Sequence, residues 1–213
     1  MSRKELLAGR AHSIIETIFA GASAPAYRVP LLDGPISLEA REDAWRQAAG
    51  FDGLARGRHM EERRGRVRIG ATASHIYAMV ATELPPDGLL VPMAEAAAPQ
   101  RPDTVEFWID PSPQQGGAVY QLVLDPQGQT RAMVHRAGAA PESTWSATCK
   151  VASRVEKGMW FCAVEIPAAA LGRETTLGGA WSVNLCRNLN HPLCRASVLL
   201  RLYADAGEIA GER

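Results

Sequence analysis

The chain has 213 residues, 46% of them hydrophobic, enough for one domain with a real core or one domain plus an extension. Lys and Arg number 23 and Asp and Glu number 23, so a net charge of zero leaves no electrostatic footprint for nucleic acid or an anionic membrane. No apolar run reaches the length of a bilayer-spanning helix.

The first segment, "SRKELLAGRAHSIIETIFAG", carries Leu6, Leu7, Ile14, Ile15, Ile18 and Phe19 at helical spacing, weakened by Gly9. Its early Arg-Lys pair and small residues suggest a signal peptide, but His12, Ser13 and Glu16 interrupt the apolar stretch. No export signal is therefore expected. The chain reads as cytoplasmic as written, or as extracellular or periplasmic if cut from an exported protein. "GASAPAYRVP" reads as a linker broken by Gly21, Pro25 and Pro30. Residues 1–28 are thus a helical extension and linker, and 29–213 the main domain. "SLEAREDAWRQAA" predicts a short helix carrying Trp45. The mixed-charge run "RGRHMEERRGRVR" reads as a solvated loop.

From Arg66 onward the pattern is one of strands. "RVRIGAT" and "HIYAMVATEL" alternate across a turn at Ala73–Ser74, and "DTVEFWID", "AVYQLVLD", the turn "PQGQ" and "TRAMVHRA" follow. "STWSATCKVASRVE" and "MWFCAVEIP" meet at Lys157–Gly158, a hairpin signal. "PAAALG", Pro167 to Gly172, predicts one helical turn. "AWSVNLCRN" and "RASVLLRLYA" close the series. Strands without helical crossovers predict an all-β antiparallel β-sandwich, with jelly-roll or immunoglobulin-like two-sheet packing and a short N-terminal helical extension.

Strand alternation assigns the faces. Val105, Phe107 and Ile109 share a core face, with Asp103 at its start; Thr104, Glu106, Trp108 and Asp110 share the other. On the next strand Val119, Gln121, Val123 and Asp125 oppose Tyr120, Leu122 and Leu124. In "WSVNLCRN", Asn184, Cys186 and Asn188 share a face. A face with Glu106, Gln121, Asp125, Asn184 and Asn188 is polar without being strongly charged. It is either a surface for a neutral polyol or a solvated outer face. Carboxylate beside indole suits a sugar, the acid accepting hydroxyl hydrogens and the ring lying on C–H groups.

Catalytic patterns are absent. Asp103 and Glu106 lie on opposite faces of one strand, so they cannot flank one glycosidic bond. The sequence has no GxSxG elbow, no HExxH and no EF-hand loop, and its five histidines are scattered. Cys149, Cys162, Cys186 and Cys194 lack CxxC spacing. Cys149 with Cys162, or Cys186 with Cys194, could form disulfides in an oxidising compartment, or all could be free thiols.

The motifs "LLDGPISLEAREDAWRQA", "VRIGATASHIYAMVATE", "DTVEFWIDP", "AVYQLVLDPQGQ", "WFCAVEIPAAALG" and "WSVNLCRN" resemble, in order, those of carbohydrate-binding module family nine and its DOMON-related kin. The likeness runs from about Val29 to Tyr203. It implies a β-sandwich that binds a mono- or oligosaccharide, carries structural calcium and serves as an accessory module beside a glycoside hydrolase. It also implies two sugar-clamping tryptophans, but this chain has Gln100 near the first position and "NHPLCRAS" at the second. The family's Arg and Asn on the following strand are replaced by Val123 and Asp125.

The expected ligand residues are Glu106, Trp108, Gln121, Asp125 and Asn188. Glu106 and Asp125 would accept hydroxyls, Gln121 and Asn188 would supply amides, and Trp108 would stack. A structural sandwich that has lost sugar binding is the alternative. A haem-binding DOMON-type domain, using Met79, Met133 or His135, is a further one. Neither catalytic residues nor nucleic-acid or membrane partners are expected.

Overall fold

The computed structural model describes residues 26–27, 29–52, 55–56, 59–60, 65–96, 101–113, 117–143, 145, 148–176, 180–189 and 200–205. The predicted N-terminal helix, Gln100 and Cys194 lie outside these residues.

The strands, in chain order, are β1 (Ala26–Tyr27), β2 (Ala49–Asp52), β3 (Ala55–Arg56), β4 (His59–Met60), β5 (Gly65–Ala71), β6 (His75–Glu83) and β7 (Thr104–Asp110). They continue with β8 (Val119–Leu124), β9 (Thr130–His135), β10 (Lys150–Glu156), β11 (Met159–Pro167), β12 (Ala180–Asn188) and β13 (Leu200–Asp205). One sheet has the order β1-β13-β12-β7-β8-β9 and the second the order β10-β11-β6-β5-β2. All neighbours within these two sheets run antiparallel except β1 and β13. The predicted antiparallel sandwich is therefore the observed architecture. β3 and β4 pair separately.

Turn chemistry sets several corners. Lys157 and Gly158 have φ of 51° and 74°, the paired left-handed conformation of a two-residue hairpin, and join β10 to β11. Ala168–Leu171 is a 3-10 turn closed by Gly172 at φ 72°.

The faces between the sheets form the main core. Val105, Phe107 and Ile109 of β7 meet Trp160, Cys162, Val164 and Ile166 of β11, with Val183 and Leu185 of β12 beside them. Each such side chain contributes about 1.5–3 kcal/mol through burial. Arg187, 1% exposed, joins this interior and donates through Nη1 to Thr82 Oγ1.

A second core lies on the opposite face of the five-stranded sheet. The strap of residues 29–48 lays Leu32, Ile36, Trp45 and Ala48 against Tyr77, Met79, Ala81, Phe161 and Ala163. Leu32 N donates to Ala71 O at 2.7 Å, and Arg154 donates to Leu38 O and Ala40 O while lying 4.7 Å from the Phe161 ring centroid. The expected helix around Trp45 is a 3-10 segment, Glu42–Gln47, and Trp45 is fully buried. With both faces covered, β6 is buried from Ile76 to Thr82. The alternation expected of this strand is absent from its burial.

Two further expectations change. Ala26–Tyr27, assigned to the linker, pair with β13. The mixed-charge run, read as a solvated loop, contains the end of β3, all of β4 and the start of β5, and Arg66 there pairs with Glu42 at 3.0 Å. No helix among the described residues is long and apolar enough to cross a membrane.

Candidate functional site

The outer face of the six-stranded sheet gathers polar side chains around Glu106. Alternation sends Thr104, Glu106, Trp108 and Asp110 of β7 to this face. The antiparallel register then places Asn188 opposite Thr104, Cys186 opposite Glu106 and Asn184 opposite Trp108 on one side. On the other side Val123 stands opposite Glu106 and Gln121 opposite Trp108.

Three donors converge on the half-buried Glu106 carboxylate. Asn188 Nδ2 donates to Oε1 at 2.6 Å. Gln121 Nε2 and Trp108 Nε1 each donate to Oε2 at 2.9 Å. Asn188 Nδ2 also lies 3.2 Å from Thr104 Oγ1. Behind Gln121, its Oε1 lies 2.9 Å from His135 Nε2, and the His135 and Trp108 rings are 5.0 Å apart and tilted by 31°. Amide orientation decides the tautomer: Gln121 turns its NH₂ to Glu106, so its carbonyl accepts a proton held on His135 Nε2.

Glu106, Trp108, Gln121 and Asn188, expected on one face, are thus brought together. Asp125 is not. It lies past the end of β8, fully buried, where Oδ1 accepts Gln127 N at 3.0 Å and Gln129 N at 2.8 Å. Its Oδ2 accepts Met93 N at 2.8 Å, tying two loops together. Both carboxylate oxygens are thus engaged by backbone amides of the loops and not by the Glu106 cluster. Trp108 is 5% exposed, which leaves its ring little free surface for stacking. His135, named from the sequence only as a possible haem ligand, is a buried member of the network. Only the β8–β9 register could have revealed it.

Burial sets the local electrostatics. It lowers the His135 pKa from 6.5 and raises that of Asp110 from 3.8, the latter opposed by a hydrogen bond from Ser112 N. Cys149, Cys162 and Cys186 are free, so the Cys149–Cys162 disulfide is absent. Burial pushes the Cys149 thiol up to about 12 and raises Cys162 and Cys186 as well, a setting for inert thiols.

The structure does not assemble the haem ligands weighed from sequence. Met79 packs in the second core on β6, whereas Met133 and His135 lie on β9 of the other sheet. For the calcium implied by the family resemblance, the described residues offer no group of three or more His, Cys, Asp or Glu. Asp103, like Asp125, spends its carboxylate on a backbone amide, Val91 N at 2.5 Å.

Three solved structures share this fold. A Bacteroides uniformis protein assigned by name to carbohydrate binding superposes with a TM-score of 0.66 at 12% identity, over 91% of this chain and 93% of that one. A carbohydrate-binding module family 9 from Caldicellulosiruptor kristjanssonii in complex with glucose gives 0.61 at 9% identity, over 89% and 100%. A family 9 module from the same organism in complex with cellotriose gives 0.63 at 8% identity, over 89% and 98%. The chain therefore has the carbohydrate-binding module family 9 fold. No family model matches the sequence, and neither does any curated protein.

Proposed function

We propose that this chain is a non-catalytic carbohydrate-binding domain whose ligand seat is Glu106, framed by Asn188, Gln121 and Trp108. The observation that carries this reading is the convergence of Asn188 Nδ2, Gln121 Nε2 and Trp108 Nε1 on one half-buried carboxylate. Three donors hold Glu106 in one position before any ligand arrives, so binding loses little side-chain entropy. A carboxylate oxygen has more than one acceptor direction, and a sugar hydroxyl donates to one left open. Because Trp108 is nearly buried, it positions the acid in this reading more than it stacks on the ring. The glucose and cellotriose held by the two family 9 structures favour a glucose-based ligand. The domain would act as an accessory module for a neighbouring glycoside hydrolase domain.

Calorimetry against glucose, cello-oligosaccharides and a wider glycan panel tests this. Native protein is expected to bind at least one, and Glu106→Ala to abolish that binding while keeping the fold. No heat from any glycan overturns the proposal. It would favour a structural sandwich that docks a partner, a reading supported by Gln100 and "NHPLCRAS" standing near the positions where the family resemblance implies sugar-clamping tryptophans.

A further inference from the structure

We infer that His135 is a positioning residue for the Glu106 seat, and that it makes ligand affinity depend on pH. The inference rests on the carbohydrate-binding reading. It starts from a continuous relay: His135 Nε2 to Gln121 Oε1 at 2.9 Å, then Gln121 Nε2 to Glu106 Oε2 at 2.9 Å. A glutamine amide can present either end to its neighbour. With a proton on His135 Nε2, Gln121 must turn its carbonyl to the imidazole and its NH₂ to Glu106. Glu106, which only accepts, holds the NH₂ end of the same amide, and His135 holds its carbonyl end, so loss of the imidazole leaves Gln121 anchored at one end alone. His135 thereby steadies the donor that Glu106 meets. Its ring also backs Trp108, the second donor to the same oxygen.

The second imidazole nitrogen supplies the pH dependence. His135 Nδ1 is buried and finds no hydrogen-bond partner among the described residues. Protonation places an N–H there with no described residue to receive it, in a residue 7% exposed. No described residue forms an ion pair with His135 to offset that charge. On its own strand Arg131 shares its face, and the next residue, Arg136, is engaged by Glu142 at 2.7 Å. From β7 the acids on this face are Glu106 and Asp110, of which Glu106 reaches His135 only through Gln121. β8 places Val119 and Gln121 beside it, neither charged. The charged imidazole must therefore leave its seat, releasing Gln121 and uncovering Trp108.

The test measures cello-oligosaccharide affinity from pH 7.5 to 5.0 for native protein, His135→Gln and His135→Phe. It also follows the Trp108 indole N–H resonance over the same range without sugar. Native affinity is expected to fall at least tenfold. His135→Gln, which keeps a donor but cannot titrate, should hold near-native affinity at pH 7.5 and fall much less. His135→Phe should bind at least tenfold more weakly at every pH. The indole resonance should move with pH in native protein and stay fixed in both variants. Parallel pH profiles in native protein and His135→Gln, or native-like binding by His135→Phe, overturn the inference. If no glycan binds at any pH, the carbohydrate reading fails. The resonance still decides the relay: a signal that does not move in native protein refutes it.

Discussion

Asn188 and Glu106 stand 82 positions apart in the chain, yet Asn188 Nδ2 donates to Glu106 Oε1 at 2.6 Å across two antiparallel strands. The bond is diagonal, since Asn188 pairs with Thr104 and Glu106 with Cys186. It ties a late strand to the acid at the centre of the outer face. Glu106→Gln tests what the charge contributes. The new amide must turn an N–H toward either Asn188 or the Trp108–Gln121 pair, setting donor against donor. Sugar affinity should fall at least tenfold in calorimetry, and chemical denaturation should show a loss of about 1–3 kcal/mol.

Trp108→Ala should weaken the fold as well as the site. Sequence alternation alone suggests a change that abolishes binding without unfolding. But Trp108 is 5% exposed, so truncation opens a cavity and also removes a donor to Glu106. The expected loss is about 3–5 kcal/mol, read from denaturant midpoints. Trp108→Phe should recover most of that stability while leaving binding impaired.

Asp125→Asn separates structural acid from ligand acid. Its Oδ1 can keep Gln127 and Gln129, but its new NH₂ faces the Met93 N–H that Oδ2 now accepts. Stability should drop by about 2–3 kcal/mol, as for loss of a hydrogen bond to a buried charge. Glycan affinity measured well below the melting temperature should stay within a factor of two of native.

His135 and Asp110 contribute to the pH dependence of stability with opposite signs. The His135 pKa is lowered in the folded state, so the unfolded chain takes up its proton first as pH falls. The stability tied to neutral His135 is therefore complete above about pH 6.5 and declines below it, by at most about 1.4 kcal/mol per pH unit. The Asp110 pKa is raised, so its ionised form costs the folded state stability at neutral pH, and that cost is relieved as pH falls through the folded value. Thermal melts should show His135→Gln flattening the slope between pH 7 and 5. Asp110→Asn should raise the melting temperature at pH 7, with the gain shrinking toward acid.

The strands were legible because their turns are written in residue types, Lys157–Gly158 and Gly172 among them. The Glu106 cluster was legible because period-two alternation puts Glu106 and Trp108 on one face, and neighbouring strands supply Gln121 and Asn188. Asp125 was misplaced for a physical reason. Continuing the alternation past Leu124 ignores that an Asp before Pro and Gly prefers to accept the amides of its own turn. The place of His135 in the cluster was not legible because its partner is fixed by register, which one strand's pattern does not state. The strap left only an indirect sign, the near-continuous apolar run of β6, while its own apolar residues Leu32, Ile36 and Trp45 are too few and too unevenly spaced to mark one element.

The strap makes the two sheets unequal as material for change. Residues 29–48 seal the five-stranded sheet on its second face, so nearly any large substitution there must be absorbed by packed neighbours. Even Gly70 has no room, for a Cβ would sit 2.8 Å from Leu32 Cδ2. That sheet is a chassis. Glu106 and Asn188, on the other sheet, keep contact with solvent and hang from a rigid frame. A library randomised at positions 104, 106, 121 and 188 could rewrite ligand preference there while the chassis carries the cost of its failures.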